Sequence, residues 1–230
     1  MIAGFPAELR TIDLRTLAGE RPRTFEDARP QSIELFVVAD LATRVDRSAL
    51  LRSEDPETPP YWALTWIGAR ALAARLAAAP APATARVLDL GCGLGLAGVV
   101  AGRSGASITF ADHIDAALDF AEASARYHGL VDFHGCLIDF TKDSLADRFD
   151  LILAADVVYE PADYAPLVAF LTRHLAPAGS ILLTESLRAD ARAVTDALVR
   201  SGLTIETEAV WVEEDGRAER TWLHTLRALS

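Results

Sequence analysis

Two cysteines, Cys92 and Cys136, are all that the 230 residues contain. They are too few for a disulfide framework or a structural zinc site, and they make a reducing cytoplasm the expected compartment. Lysine is scarcer still: Lys142 stands alone, and every other basic residue is arginine. Lys and Arg total 22 against 33 Asp and Glu, a formal net charge of -11. Nucleic acid is therefore a poor partner, because phosphate-backbone binding relies on Lys and Arg displacing counterions. No apolar run reaches the roughly 18 residues needed to span a membrane, so no membrane partner is expected. Residues 1–11 lack the basic-then-apolar layout of a secretory signal. His113, His128, His134, His174 and His224 are scattered, without metal-ligand spacing, and no metal site is expected. No internal repeat is visible, and oligomeric state leaves no mark.

What is present describes a globular enzyme-sized chain, 51% hydrophobic and 24% charged. Its length suits one large domain with a substantial core. Residues 1–58 read as an N-terminal extension, interrupted by Pro6, Pro22 and Pro30, with a short strand at 33–38. The run 53–60 (SEDPETPP) is a loop, because adjacent prolines and charges cannot sustain a helix. From 59 to 230 the pattern is regular. Helices are expected at 66–79, 96–103, 116–128, 164–175 and 189–201, and strands at 86–90, 107–111, 131–138, 149–154 and 180–184. Strands at 203–212 and 220–226 flank Asp215-Gly216, a hairpin signal. The fold class is α/β: a doubly wound, mainly parallel, seven-stranded Rossmann-like sheet with an antiparallel C-terminal hairpin and an N-terminal extension.

The most informative segment is Val87-Leu88-Asp89-Leu90-Gly91-Cys92-Gly93-Leu94-Gly95, a buried strand running into a glycine-spaced turn and then a helix. Glycines let a backbone approach a ligand, and the helix start offers free N–H groups. Two cofactors compete for such a loop. Gly93-Leu94-Gly95-Leu96-Ala97-Gly98 fits the dinucleotide pattern G-x-G-x-x-G. Asp89-x-Gly91-x-Gly93-x-Gly95 fits the D-x-G-x-G-x-G loop of S-adenosylmethionine enzymes. Three features favour the second. The turn begins at Gly91, Asp89 sits where it can hold an ammonium group directly or through water, and the loop lies late in the chain. Asp112 ends the next strand, where a carboxylate can accept both ribose hydroxyl protons; an ordinary helix cap is the competing reading. Cys92 counts with the loop as a small residue lining the cofactor, and no base accompanies it for nucleophilic catalysis. Ser186 lacks the G-x-S-x-G setting of a hydrolase.

At 59–229 the sequence resembles the seven-β-strand, class I methyltransferases that use S-adenosylmethionine, and within them the family 16 protein-lysine branch. Three segments carry the resemblance: Pro60-Tyr61-Trp62-Ala63-Leu64-Thr65-Trp66, the glycine loop with Asp112, and Ala154-Ala155-Asp156-Val157-Val158-Tyr159. The resemblance implies that Trp66 lines the cofactor pocket, that Gly91 and Gly93 contact the methionine part, and that Asp112 holds the ribose. It implies an adenine edge at Asp139-Phe140, where the family has an Asp-Trp-like pair, and a backbone approach at Ala155. Asp156 and Tyr159 then face the methyl acceptor, with no dedicated general base. The implied reaction is methyl transfer to an amine, foremost a protein lysine, leaving S-adenosylhomocysteine. A small-molecule amine is the alternative acceptor, and a catalytically silent binding scaffold is the alternative of another class.

Overall fold

The computed structural model describes residues 1–29, 31–41, 61–157, 161–186 and 191–228. Three short strands come first: β1 (Ala7–Asp13), β2 (Thr16–Ala18) and β3 (Ser32–Val38). Then follow α1 (Ile67–Ala78), β4 (Arg86–Leu90), α2 (Leu96–Gly102), β5 (Ser107–Asp112), α3 (Asp115–Tyr127), β6 (Phe133–Leu137) and β7 (Phe149–Ala155). The chain ends with α4 (Tyr164–His174), β8 (Leu175–Glu185), α5 (Ala191–Arg200), β9 (Leu203–Glu214) and β10 (Arg217–Ala228).

The main sheet has eight strands in the order β2-β9-β10-β8-β7-β4-β5-β6. β8, β7, β4, β5 and β6 run parallel, and β10, β9 and β2 add antiparallel neighbours. β4 and β7 are apolar runs because helices cover both faces of the sheet. One core cluster holds Leu72, Leu96, Val99, Phe110 and Phe120 on the side of α1, α2 and α3. The other holds Leu88, Ile152, Phe170, Leu171, Val194 and Leu198 on the side of α4 and α5. Chain order reverses direction between β4 and β7, which opens a crevice at the carboxyl ends of those strands.

The expected seven strands are present, and β2 is an eighth. It is too short to show a pattern, and it forms because Thr16–Ala18 pair with Val212–Val210 and cap an otherwise open edge. β1 was not expected either. Its sequence is polar, and its register with β3 holds it in place. The hairpin is longer than its hydrophobic pattern suggests. Asp215 and Gly216 take φ of 49° and 73°, the mirror-image turn that lets both ladders continue to the tip. β8 begins at Leu175, directly after α4, and residues 176–179 loop out of the ladder at a register shift, where Pro177 costs no bond. Among the described residues no helix is long and apolar enough to cross a membrane.

Candidate active site

The loop after β4 is built on left-handed backbone. Gly91, Gly93 and Gly95 take φ of 61°, 50° and 76°, a region that side chains with a Cβ rarely adopt. Space excludes a side chain as well: a Cβ on Gly93 would lie 2.9 Å from the Trp62 carbonyl oxygen. The turn closes with the Gly95 N–H on the Cys92 carbonyl at 2.8 Å, and α2 starts at once.

Two buried carboxylates flank this loop. Asp89, 2% exposed, accepts the Gly98 N–H in the first turn of α2 at 2.8 Å. Burial pushes its carboxyl up to about 7, against the lowering effect of that hydrogen bond, and the nearby Asp112 charge adds to the rise. Asp112, at the end of β5, accepts the Gly93 N–H at 2.9 Å and the Ile114 N–H at 3.0 Å. Burial raises its carboxyl too, while those N–H groups and His113 pull it down. Burial also raises the Cys92 thiol, which keeps it protonated. Trp66 stands at the start of α1; its indole N–H donates to the Tyr61 carbonyl at 3.1 Å and its ring stacks on Tyr61 at 6.0 Å.

Asp156 follows β7 in a left-handed conformation, φ 53°, which is uncommon for a residue with a side chain and is often found at functional sites. One oxygen accepts the Gly68 N–H at 3.0 Å and the other the Ser186 hydroxyl at 2.7 Å. Ser186 Oγ lies 3.1 Å from Thr221 Oγ1 of β10, so the carboxylate joins α1, β7, β8 and β10. Burial pushes Asp156 up to about 6, with the two hydrogen bonds opposing. The ordinary alternative was a cap on the following helix. Asp156 accepts a first-turn N–H of α1, upstream in sequence, because the sheet brings Gly68 beneath it, while residues 158–160 ahead of the following helix lie outside the described residues.

Asp89, Gly91, Cys92, Gly93 and Asp112 thus form one cluster, with Trp66, Ala155 and Asp156 on the elements around it. Asp139 and Phe140 sit differently. The Asp139 carboxylate is held by Lys142, 2.7 Å away, and by the Thr141 hydroxyl and N–H, and these bonds bring it down to about 2. Phe140 packs edge-on against Phe170 of α4, with centroids 6.5 Å apart. Tyr159 lies outside the described residues. Sequence reasoning missed Gly68, Ser186 and Thr221 as supports of Asp156. Two are anonymous hydrogen-bonding types and one is a backbone N–H, and only the fold brings them together.

The family described as a methyltransferase domain matches residues 66–229. The chain belongs to it. The sheet is that of the class I, S-adenosylmethionine-dependent enzymes, and solved methyltransferases share it. The N-methyltransferase NodS of Bradyrhizobium japonicum, solved with S-adenosylhomocysteine, superimposes with a TM-score of 0.56 at 20% identity, covering 67% of this chain and 82% of that one. Electron transfer flavoprotein beta subunit lysine methyltransferase of Danio rerio is 38% identical over 116 residues, 48% of this chain and 45% of the relative. Ribosomal protein L11 methyltransferase of Syntrophotalea carbinolica is 34% identical over 124 residues, 54% of this chain and 39% of the relative. The chain spans less than half the length of these curated relatives.

The methyltransferase loop fits the family's cofactor on its own chemistry. Burial is the main reason that the Asp89 carboxyl is raised, and the nearby Asp112 charge adds a smaller part. A ligand carrying a sulfonium and an ammonium offsets that negative charge, whereas a pyrophosphate would add to it. Asp112 Oδ2 accepts the Gly93 N–H, which leaves it a lone pair suited to a ribose hydroxyl, while Oδ1 accepts the Ile114 N–H and lies 3.5 Å from His113. Asp89 is turned under α2, so it shapes the loop and lends it charge.

Proposed function

We propose that this protein transfers a methyl group from S-adenosylmethionine to an amine, and that the acceptor is a lysine side chain of a protein. The observation that carries this reading is Asp156: an anion held by three elements at the mouth of the crevice, on strained backbone. The names of the curated relatives from Danio rerio and Syntrophotalea carbinolica, one a lysine and one a ribosomal-protein methyltransferase, support a protein acceptor.

The bound cofactor supplies a methyl group already activated by its sulfonium. The chain's task is alignment, which is worth about 7–11 kcal/mol when reacting groups are held in line. The loop at Gly91, Cys92 and Gly93, with Trp66, Asp112 and Ala155, is assigned to the cofactor, and Asp139-Phe140 to its adenine edge. A free lysine has a pKa of about 10.4, so presenting its lone pair at pH 7 costs roughly 4–5 kcal/mol. Desolvation in the crevice lowers that cost. Asp156, ionised above about pH 6, favours the ammonium form and therefore binds and orients the amine without deprotonating it. Water carries the proton away. Tyr159 is assigned to the same acceptor, through its hydroxyl or ring face.

Asp156→Asn tests the role. The amide oxygen can still accept from Gly68 and the NH2 can donate to Ser186, so the fold should persist with cofactor affinity intact and transfer lost. Asp156→Ala should also destabilise the protein, by about 1–3 kcal/mol, because the buried Gly68 N–H loses its acceptor. Normal turnover by the Asn variant would remove Asp156 from the acceptor site. Labelled S-adenosylmethionine with cell extract decides the acceptor: a labelled protein band supports lysine, and label confined to small molecules sinks it.

A further inference from the structure

The last pairing of β8 with β10 is Glu185 with Trp222. β10 extends back from there to Arg217, and β9 pairs with it as far as Glu214. The hairpin therefore overhangs the carboxyl end of the sheet, the end that carries Asp156. Its inward face presents Thr221, beside Ser186, with buried Val210 and Val212. By alternation, Trp211, Arg220 and Trp222 share the opposite face.

On that face arginines and tryptophans interleave. The Arg220 guanidinium lies 4.7 Å from the Trp222 ring and 6.0 Å from the Trp211 ring, and Arg21 lies 5.7 Å from Trp211. Trp211 is anchored by its indole N–H on the Gly19 carbonyl at 2.9 Å. Trp222 is 37% exposed, and Arg21 and Arg220 are exposed. Among the described residues neither arginine is seen in an ion pair with a carboxylate, as is true of several other arginines such as Arg23, Arg75 and Arg173. Glu185 lies 3.2 Å from His224, and Glu213 lies 3.2 Å from Arg15. In a chain of net charge -11, two arginines thus lie over indole rings on the outer face of the overhanging hairpin.

We propose that this overhang is a docking surface for a protein partner that presents Asp or Glu side chains close to the methyl-accepting residue. A guanidinium stacked on indole still offers its planar fork to a carboxylate. Stacking also orders the side chain beforehand, which lowers the entropic cost of binding. Tryptophan and arginine are the residue types that dominate interface energetics. Stacked tryptophan and arginine also suit unstacked bases, but the chain's overall negative charge opposes a phosphate backbone. The proposal rests on the protein-acceptor reading above, and it concerns binding, so it is measured without turnover.

The probes are fluorescein-labelled decapeptides with one central lysine flanked by Asp/Glu, by Ser/Gly or by Lys/Arg, and an oligothymidylate of equal length, followed by anisotropy at low salt. The acidic peptide should bind the full chain most tightly. Arg21→Glu with Arg220→Glu should weaken it by about tenfold or more, a difference of one order in Kd. Trp222→Ala should weaken it as well, and calorimetry should find S-adenosylmethionine affinity unchanged in both variants. Arg21→Glu alone, on an exposed side chain, guards against a folding defect. An acidic peptide that binds no better than the neutral one, or whose affinity survives the charge reversal, overturns the proposal. So does an oligonucleotide that binds more tightly than the acidic peptide and is lost in the same variants. Acidic peptide that binds but is never methylated would sink the lysine reading and leave the docking surface standing. Methylation without preference among the peptides would do the reverse.

Discussion

Asp112 closes the loop through the Gly93 N–H, and the proposed function gives it a second part, as an acceptor for the cofactor's ribose. Asp112→Ala removes both effects. We expect cofactor affinity to fall by about 1–3 kcal/mol, the usual loss for a charged acceptor, read by calorimetry. Asp112→Asn keeps an acceptor oxygen for Gly93 and should fall less. Equal affinity in the Ala variant would assign the residue to loop shape alone. Asp89 works at the same scale by another route. It holds the first turn of α2 from below, and its charge is costly there because it is buried, with the nearby Asp112 adding a smaller part.

At the scale of elements, β3 docks on α3, with Ile33, Leu35, Val37 and Val38 buried in the core cluster of the methyltransferase domain. The Phe36 N–H of β3 donates to the Ser124 hydroxyl of α3 at 3.1 Å, and Ser124 is fully buried. Phe36 meets Tyr127 edge-on, and Tyr127 donates to Glu34 at 2.6 Å. Ser124→Ala leaves the half-buried Phe36 N–H without its acceptor, at a cost of about 1 kcal/mol. We expect hydrogen exchange to show β3 amides losing protection while β4 and β7 keep theirs. Uniform loss across the sheet would show that these strands and the core open as one unit.

Across the whole molecule, the carboxylates of Asp89, Asp112 and Asp156 are all raised by burial. A carboxyl raised in the folded state favours folding most below its unfolded value, and that contribution is lost as pH climbs through its folded value. For Asp89 the window runs from about pH 4 to about 7. The apoprotein should therefore melt higher at pH 6 than at pH 8, with Asp89 alone contributing about 1 kcal/mol to the difference. Asp89→Asn should flatten the profile and stabilise the apoprotein at pH 8 by up to about 4 kcal/mol. Adding S-adenosylmethionine should stabilise more at pH 8, where the site is most anionic. A wild-type profile that rises with pH would contradict the sign.

Much of this was determined by sequence alone. Periodicity and turn chemistry are local, so the alternation of strands and helices, the glycine loop and the Asp215-Gly216 turn are all legible along the chain. Asp89, Asp112 and Asp156 stand out because each is a charged residue at the end of an apolar run, where only a site or a cap accounts for it. What the tertiary structure decided is non-local. β2 exists only because β9 offers it an edge, and Asp139 is drawn into its own turn by Lys142. Ser186, Thr221 and the Gly68 N–H support Asp156 across separations of up to 88 residues. Hydrogen bonds of that reach depend on register and strand order, and no residue pattern along one strand encodes its neighbour in the sheet. The same holds for Arg21, Trp211, Arg220 and Trp222, scattered in sequence and joined on one overhanging face.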